Sequence, residues 1–186
     1  MVVKRTSHAG YTVPGLSLQD GHEVAAILQP RLHALNDLAL TLKHAHWNVV
    51  GRDFISVHEM LDPQIEQVRG MVDATAERIA TLGVSPNGLP GALVGARSWD
   101  DYAIGRAGTA AHLAALDVVY TGFLKSHRKA LADVGGLDPI TEDMVIAQCA
   151  ALEKFQWFMR AHLEDDAGDL LNAGAKTERS AASKAK

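Results

Sequence analysis

Cysteine is nearly absent from this chain of 186 residues, since Cys149 is the only one. A lone thiol excludes an intrachain disulfide framework and a zinc site built from cysteine pairs. No apolar stretch approaches the roughly 18 residues that a transmembrane helix needs; the best one, 107–124, is interrupted by His112 and Asp117. The first residues carry charge without an apolar segment behind them, so the sequence predicts no secretory signal and no membrane association. We therefore expect a cytoplasmic protein.

The chain also lacks a large excess of positive charge. Its net charge is -4 and aromatic residues make up only 5%, which argues against binding a polyanion through the body of the protein. The C-terminus differs: residues 174–186 carry a net +3, from four bases against Glu178. The four bases are Lys176, Arg179, Lys184 and Lys186. Few large apolar residues occur here, so we predict a flexible basic tail over 169–186 and a flexible arm over 1–15 that Lys4 and Arg5 make mildly basic.

Apolar residues recur at helical spacing in four long segments, and no segment shows the alternation of a strand. The predicted helices span about 20–48, 53–82, 101–132 and 142–166. Helices of this length extend for about 40 Å. The long connection between the second and third allows a ferritin-like crossover, and Ser98–Tyr102 predicts a short helical turn within it. The sequence therefore predicts an all-α protein, with a ferritin-like four-helix bundle over residues 16–168.

Pro63 interrupts the apolar stripe of the second predicted helix. Inside a helix, proline costs about 3 kcal/mol and introduces a kink unless packing compensates. The alternative is a break at Asp62, with Pro63 as the first residue of a new helix. The sequence leaves both possibilities open.

The usual metal site inside such a bundle is built from Glu-x-x-His pairs. Six glutamates of the predicted helices were tested for this spacing, and none has histidine at the third following position. The six are Glu23, Glu59, Glu66, Glu77, Glu142 and Glu153. A di-iron site within one bundle is therefore excluded.

A row of polar residues on the second helix suggests a different site. Its members step by three or four residues and stay within an arc of about 100°; they are His58, Asp62, Glu66, Arg69, Asp73 and Glu77. Carboxylates at this spacing usually form a solvated face, but like charges one turn apart repel, and only Arg69 is placed to relieve them. Together with His46, twelve residues before His58, the row suits iron, zinc or manganese, with iron favoured where coordination positions stay open.

His58 and Asp73 cannot bind one metal ion within a single chain. They are fifteen residues apart in the sequence, which is about 22 Å along one helix. An antiparallel copy of the helix, crossing near residues 67 and 68, would bring His58 and Asp62 opposite Glu77 and Asp73. Such an arrangement is that of a two-fold dimer, so the sequence is compatible with a metal site shared between two subunits.

Three stretches of the sequence form a specific set of motifs. The first is the segment LKHAHWNVVGRDFISVHEMLD over 42–62, followed by Asp-x-x-x-Glu-Arg over 73–78. The others are Trp-Asp-Asp-Tyr over 99–102 and Glu-Lys-Phe-Gln-Trp-Phe over 153–158. Together they resemble the motifs of the Dps family, the DNA-binding proteins from starved cells, also called miniferritins. The resemblance covers residues 14–168 and is greatest to actinobacterial members with a C-terminal tail.

The resemblance implies a hollow dodecamer with a ferroxidase site at each two-fold interface. In that arrangement His46, His58 and Asp62 come from one subunit, and Asp73 and Glu77 come from its partner. Family members oxidise Fe(II), preferentially with hydrogen peroxide, and store the ferric mineral inside the shell. By consuming both reagents they prevent the formation of hydroxyl radicals near DNA. The expected cargo is iron, the expected oxidant is hydrogen peroxide, and nucleoid association is possible.

The remaining candidates each have a simpler alternative. Trp47 resembles the family's tryptophan near the site, or packs in the core. Asp138 and Asp143 match acidic positions of the family's three-fold pore, or form an acidic first helical turn. Glu59 and Glu66 nucleate mineral on the inner surface, or are merely solvated. The basic tail binds DNA through many weak copies, which gives an architectural DNA-binding protein as the second hypothesis, or it only improves solubility.

Overall fold

The computed structural model describes residues 8–185, so Lys4, Arg5 and Lys186 lie outside the described part of the chain. Six helices and two short strands follow one another along it. They are α1 (Leu18–Asn48), β1 (Val49–Val50), α2 (Phe54–Thr81), α3 (Pro90–Ala96), β2 (Ala107–Gly108), α4 (Thr109–Val134), α5 (Pro139–Ala161) and α6 (Glu178–Lys184).

The four long helices form the predicted bundle. Leucines at helical spacing on α1, such as Leu35 and Leu42, are fully buried against Leu61 of α2, Leu116 of α4 and Leu152 of α5. Burial of apolar surface of this kind is the main stabilising term of a bundle. The crossover after α2 returns the chain to the end of α1, where β2 pairs in parallel with β1. This crossover confirms the ferritin-like connection.

The short helix of the crossover exists, but its predicted position was wrong. Residues 98–102 are not helical; α3 lies earlier, over Pro90–Ala96, with proline in its first turn, where no amide hydrogen bond is lost. The following segment is held extended, because Arg97 and Trp99 both bind the carboxylate of Asp37 on α1. For the same reason α4 begins at Thr109, eight residues later than predicted.

Helix α2 passes through Pro63 without interruption. The alternative of a break at Asp62 is therefore wrong. Leu61, Gln64 and Ile65, on either side of the proline, are all buried, and this packing offsets the lost backbone hydrogen bond. The continuity of α2 matters because it fixes Asp62 and Asp73 on one rigid element.

The segments expected to be flexible pack against the bundle wherever the structure describes them. Helix α6 buries Ala181 and Ala185 against the core, and its Glu178 accepts a hydrogen bond from the amide of Ala103. A tail was predicted because few large apolar residues occur in this segment. Alanine side chains are small, however, and allow a helix to pack closely without large apolar residues. Part of the predicted tail over 169–186 is therefore helical and packed against the bundle, and its flexibility stays a prediction.

The described part of the N-terminal arm also lies on the bundle. The amide of Ala9 donates to the carbonyl of Gly83 at 2.7 Å, and His8 forms an isolated antiparallel β-bridge with Val84. Gly83 has a φ of +86°, and a Cβ there would lie 2.2 Å from the carbonyl oxygen of Tyr11, so this contact requires glycine. Within residues 8–185, no helix combines the length and the hydropathy that crossing a membrane requires.

Candidate metal centre

Three of the predicted ligands lie together where α1 and α2 run side by side. His46 is in the last turn of α1, and His58 and Asp62 are one turn apart on α2. One ligand atom from each lies within 4.8 Å of the others, and this is the one such group of three that residues 8–185 contain. His46 is buried, His58 is half-buried and Asp62 is exposed. The group is thus anchored in the bundle at one side and open to the surface at the other.

Reciprocal hydrogen bonds fix the two imidazoles. Nδ1 of His46 lies 3.0 Å from the carbonyl oxygen of His58, and Nδ1 of His58 lies 2.9 Å from the carbonyl oxygen of His46. Because a carbonyl can only accept, each Nδ1 carries the proton. The lone pair of each neutral imidazole is then on Nε2, available to a metal ion. The two rings stack with their centroids 3.6 Å apart.

The surroundings of Asp62 and His46 favour their unprotonated forms. Nζ of Lys43 lies 2.9 Å from Oδ1 of Asp62, and Nδ1 of His46 lies 3.3 Å from the same oxygen. The hydrogen bond from Lys43 holds the pKa of Asp62 below its usual range. Burial lowers the pKa of His46, because the charged imidazolium would lose hydration. Both groups are therefore in their metal-binding forms at neutral pH.

Asp73 and Glu77 are not part of this cluster. Both side chains are exposed on the far half of α2. Within residues 8–185 neither carboxylate forms an ion pair or a side-chain hydrogen bond, and Arg69 does not relieve them as the sequence suggested. The fifteen residues between His58 and Asp73 correspond to about 22 Å of continuous helix. One chain therefore brings together only three of the five predicted ligands.

The structure also separates the remaining candidates. Trp47 is 69% exposed, so the alternative that it packs in the core of its own chain is wrong. Glu59, Glu66 and Asp143 are exposed. Asp138 is buried: it caps α5, accepting from the amide of Ile140, and pairs with Arg78. Within one chain Asp138 thus has the helix-terminal role that was the alternative to a pore.

Lys43 was missed by the sequence reasoning. The signal was present, because Lys43 precedes His46 by three residues and so lies on the same face of α1. Its effect on Asp62 depends on the packing of α1 against α2, which the spacing alone does not reveal. Histidines outside the cluster differ in exposure: His162 is exposed, whereas others are buried in the bundle. His127, for example, is fully buried and bonds Gln148.

The comparisons with known proteins agree with this architecture. A family model described as a ferritin-like domain matches residues 25–168. The DNA protection during starvation protein of Mycolicibacterium smegmatis is 54% identical over 95% of this chain and 96% of its own. The solved structure of Mycobacterium smegmatis Dps superposes with a TM-score of 0.89, at 54% identity over 91% of this chain and 97% of that one. DpsA14 from Streptomyces coelicolor gives 0.85, at 57% identity over 89% of this chain and 99% of its own.

Fold and site together define a ferritin-like protein whose candidate metal ligands form a group that opens to the surface of the bundle. More narrowly, the chain belongs to the Dps family of miniferritins. Dps relatives share its length as well as its fold, so the family assignment covers nearly the whole chain.

Proposed function

We propose that the protein is a ferroxidase and iron-storage miniferritin that oxidises Fe(II) with hydrogen peroxide. The observation that carries the proposal is the group of His46, His58 and Asp62, with both Nε2 atoms free and the carboxylate exposed. Family membership supports iron as the metal substrate. Three ligands from one chain leave several coordination positions open, as reaction with a peroxide requires.

The site is completed, in this proposal, by Asp73 and Glu77 of a second subunit related by a two-fold axis. The two carboxylates are exposed and unpaired within residues 8–185, so they are free to bind across an interface. Additional carboxylates stabilise the higher charge of Fe(III) relative to Fe(II) and so favour oxidation. Each Fe(II) gives up one electron and hydrogen peroxide accepts two, so two Fe(II) are consumed for each peroxide.

The same proposal assigns roles to the exposed candidates. Twelve subunits enclose a cavity in which the ferric product is stored; Glu59 and Glu66 nucleate mineral on its wall, and Asp143 contributes to an entry pore. Trp47, adjacent to His46 and 69% exposed, lies beside the completed site. By removing Fe(II) and peroxide together, the protein protects DNA from hydroxyl radicals, in keeping with the name of its relatives.

Iron oxidation by variants of the assembled protein tests this function. We expect His46→Ala/His58→Ala to oxidise Fe(II) with peroxide at least about a hundredfold more slowly, because it removes both nitrogen ligands. His44→Ala is the matched control, since His44 bonds the carbonyl of Ile104 and is no proposed ligand. Equal oxidation rates for the double variant and the native protein would refute the site.

DNA binding through the basic C-terminal residues is a second candidate function. Lys176 and Arg179 are exposed beside α6, whereas Nζ of Lys184 bonds the carbonyl of Ala173. Deleting residues 174–186 would remove Ala181 and Ala185 from the core. Substitution is therefore a cleaner test than truncation.

Replacing Lys176, Arg179 and Lys184 by glutamine is expected to weaken DNA binding and flatten its dependence on salt, because fewer phosphate contacts release fewer counterions. Iron oxidation should be unaffected, since none of the three is a proposed ligand. The same change at the exposed Lys125, Lys129 and Lys154 is the control for net charge. Equal losses in both triple variants would count against the tail as the contact.

A further inference from the structure

One half-buried arginine differs from the others in its partners. Four arginines of residues 8–185 are half-buried, and three of them pair with an aspartate. The three pairs are Arg78–Asp138, Arg97–Asp37 and Arg160–Asp117. Arg31 of α1 is the exception, because within residues 8–185 its guanidinium forms no ion pair and donates instead to the hydroxyl of Ser126 on α4.

The guanidinium of Arg31 is well suited to bind an anion. Taking a charge out of water without pairing it is unfavourable, and burial accordingly lowers the pKa of Arg31. An arginine nevertheless stays charged at neutral pH. Of its five N–H donors, the hydroxyl of Ser126 accepts one, so Arg31 presents a partly desolvated fork of charged donors.

Arg31 lines a groove between α1 and α4. The groove has a volume of about 1070 Å³, at the upper end of the range for pockets that hold small organic molecules. Among the residues of α1 that line it, Arg31 is the first and Thr41 the last. The ten residues between them correspond to about 15 Å of helix, so the groove is long enough for a ligand with an extended or fused-ring body.

Much of the remaining lining is apolar and aromatic. Phe123 of α4 is buried, and Trp99 and Tyr102 of the crossover line the same groove. The indole of Trp99 is held in place, because its Nε1 donates to Asp37 at 2.7 Å. Aromatic side chains of this kind pack favourably against a planar ring. The groove thus favours a ligand with an aromatic body and one anionic group.

The acidic residues of the lining leave the charge of Arg31 available. The four are Asp37, Asp100, Asp101 and Glu178. Two of them pair with Arg97, and Glu178 accepts from the amide of Ala103. None of the four pairs with Arg31 within residues 8–185. Lys176 and Arg179 also line the groove but are exposed, so Arg31 is the half-buried cation of the lining.

We propose that this groove binds a small aromatic carboxylate, with the carboxylate on Arg31 and the ring against Phe123 and Trp99. The planar guanidinium fork matches the two oxygens of a carboxylate. The three residues of the metal cluster do not line the groove. The inference therefore stands apart from the proposed ferroxidase function.

Calorimetric titration of the assembled protein with 2-naphthoate, and with its neutral analogue 2-naphthamide, tests the site. We expect Arg31→Gln to bind 2-naphthoate at least about tenfold more weakly than native protein, because a charge-assisted pair of hydrogen bonds is lost. The affinity for 2-naphthamide should be the same in both proteins. Arg106→Gln is the matched control, since Arg106 is exposed and does not line the groove, and it should bind 2-naphthoate as native protein does.

Gly122 allows the groove to be filled without strain. It lies on α4 and lines the groove, and a Cβ built there meets no heavy atom within 4 Å. Gly122→Leu also replaces glycine by a better helix former, so the fold should be retained. We expect this variant to lose most of its affinity for both compounds, whereas Gly122→Ala, which adds one carbon, should keep it. Native mass in gel filtration and native Fe(II) oxidation confirm that each variant is assembled.

Two results would overturn the proposal. The first is an equal affinity of native protein and Arg31→Gln for 2-naphthoate, or no binding of 2-naphthoate to native protein at millimolar concentration. The second is native affinity in assembled Gly122→Leu, because the compound would then bind outside the groove.

Discussion

The two halves of α2 differ in whether their candidate metal ligands meet other candidate ligands within the chain. In the first half, His58 and Asp62 meet His46 of α1, and hydrogen bonds and an ion pair fix their positions. In the second half, Asp73 and Glu77 lie on the same continuous helix, exposed and with no partner among residues 8–185. Both halves carry residues suited to a metal ion, yet only one assembles them within the chain.

The difference indicates which parts of a site a single chain determines. The near half depends on contacts between α1 and α2, which form when the bundle folds. Asp73 and Glu77 of the far half have no such contacts among residues 8–185. In the proposed dimer, two-fold symmetry would pair the near half of each subunit with the far half of the other.

The largest effect on iron oxidation is expected from substitutions in the second half of α2. Asp73→Asn/Glu77→Gln should lower the rate of iron oxidation about a hundredfold or more, although neither residue touches the histidine cluster, because every shared site loses two carboxylates. Arg69→Gln, at an exposed position on the same helix that is no proposed ligand, is the control and should stay within about twofold of native. Full activity in the double variant would mean that the near half works alone.

The buried His127 is expected to make the stability of the fold depend on pH. His127 is fully buried, and burial lowers its pKa to about 4. The unfolded chain, with the ordinary value near 6.5, takes up the proton first as the pH falls. Stability due to neutral His127 is therefore complete above about pH 6.5 and declines between there and pH 4, by about 2 kcal/mol from pH 7 to pH 5.

Chemical denaturation of native protein and His127→Gln at pH 7 and pH 5 isolates this contribution. The variant is expected to lose less stability on acidification, whatever its absolute stability. An equal loss in both proteins would mean that His127 takes up its proton as readily in the folded protein as in the unfolded chain.

A smaller effect on stability is expected from a buried hydrogen bond next to the first half of α2. Gln64, two residues after Asp62, is buried and accepts a hydrogen bond of 2.9 Å from Tyr120 of α4. Tyr120→Phe should destabilise the fold by about 1 kcal/mol through the loss of this bond, and leave the oxidation rate within about twofold. Denaturation and iron oxidation on one preparation check both; a large loss of activity would show that the site depends on this buried contact.

The helical periodicity was sufficient for the bundle, because four amphipathic segments have few other ways to bury their leucines. It was insufficient for α6, whose burial depends on Ala181 and Ala185 fitting closely against α4. The family resemblance implied that His46 and His58 act together in one subunit, and the structure brings their side chains together. The contact of Lys43 with Asp62 and the pairing of Asp138 with Arg78 escaped the prediction, since both depend on contacts between helices.

Reassembly of two inactive variants tests the shared site most directly. One variant lacks His46 and His58, the other lacks Asp73 and Glu77, and they are unfolded, mixed equally and refolded. Under random pairing about half the dimers are mixed, and each mixed dimer has one intact site and one without any of the four ligands. About a quarter of native ferroxidase activity should return. A mixture that reassembles to native size yet stays inactive would contradict the shared site.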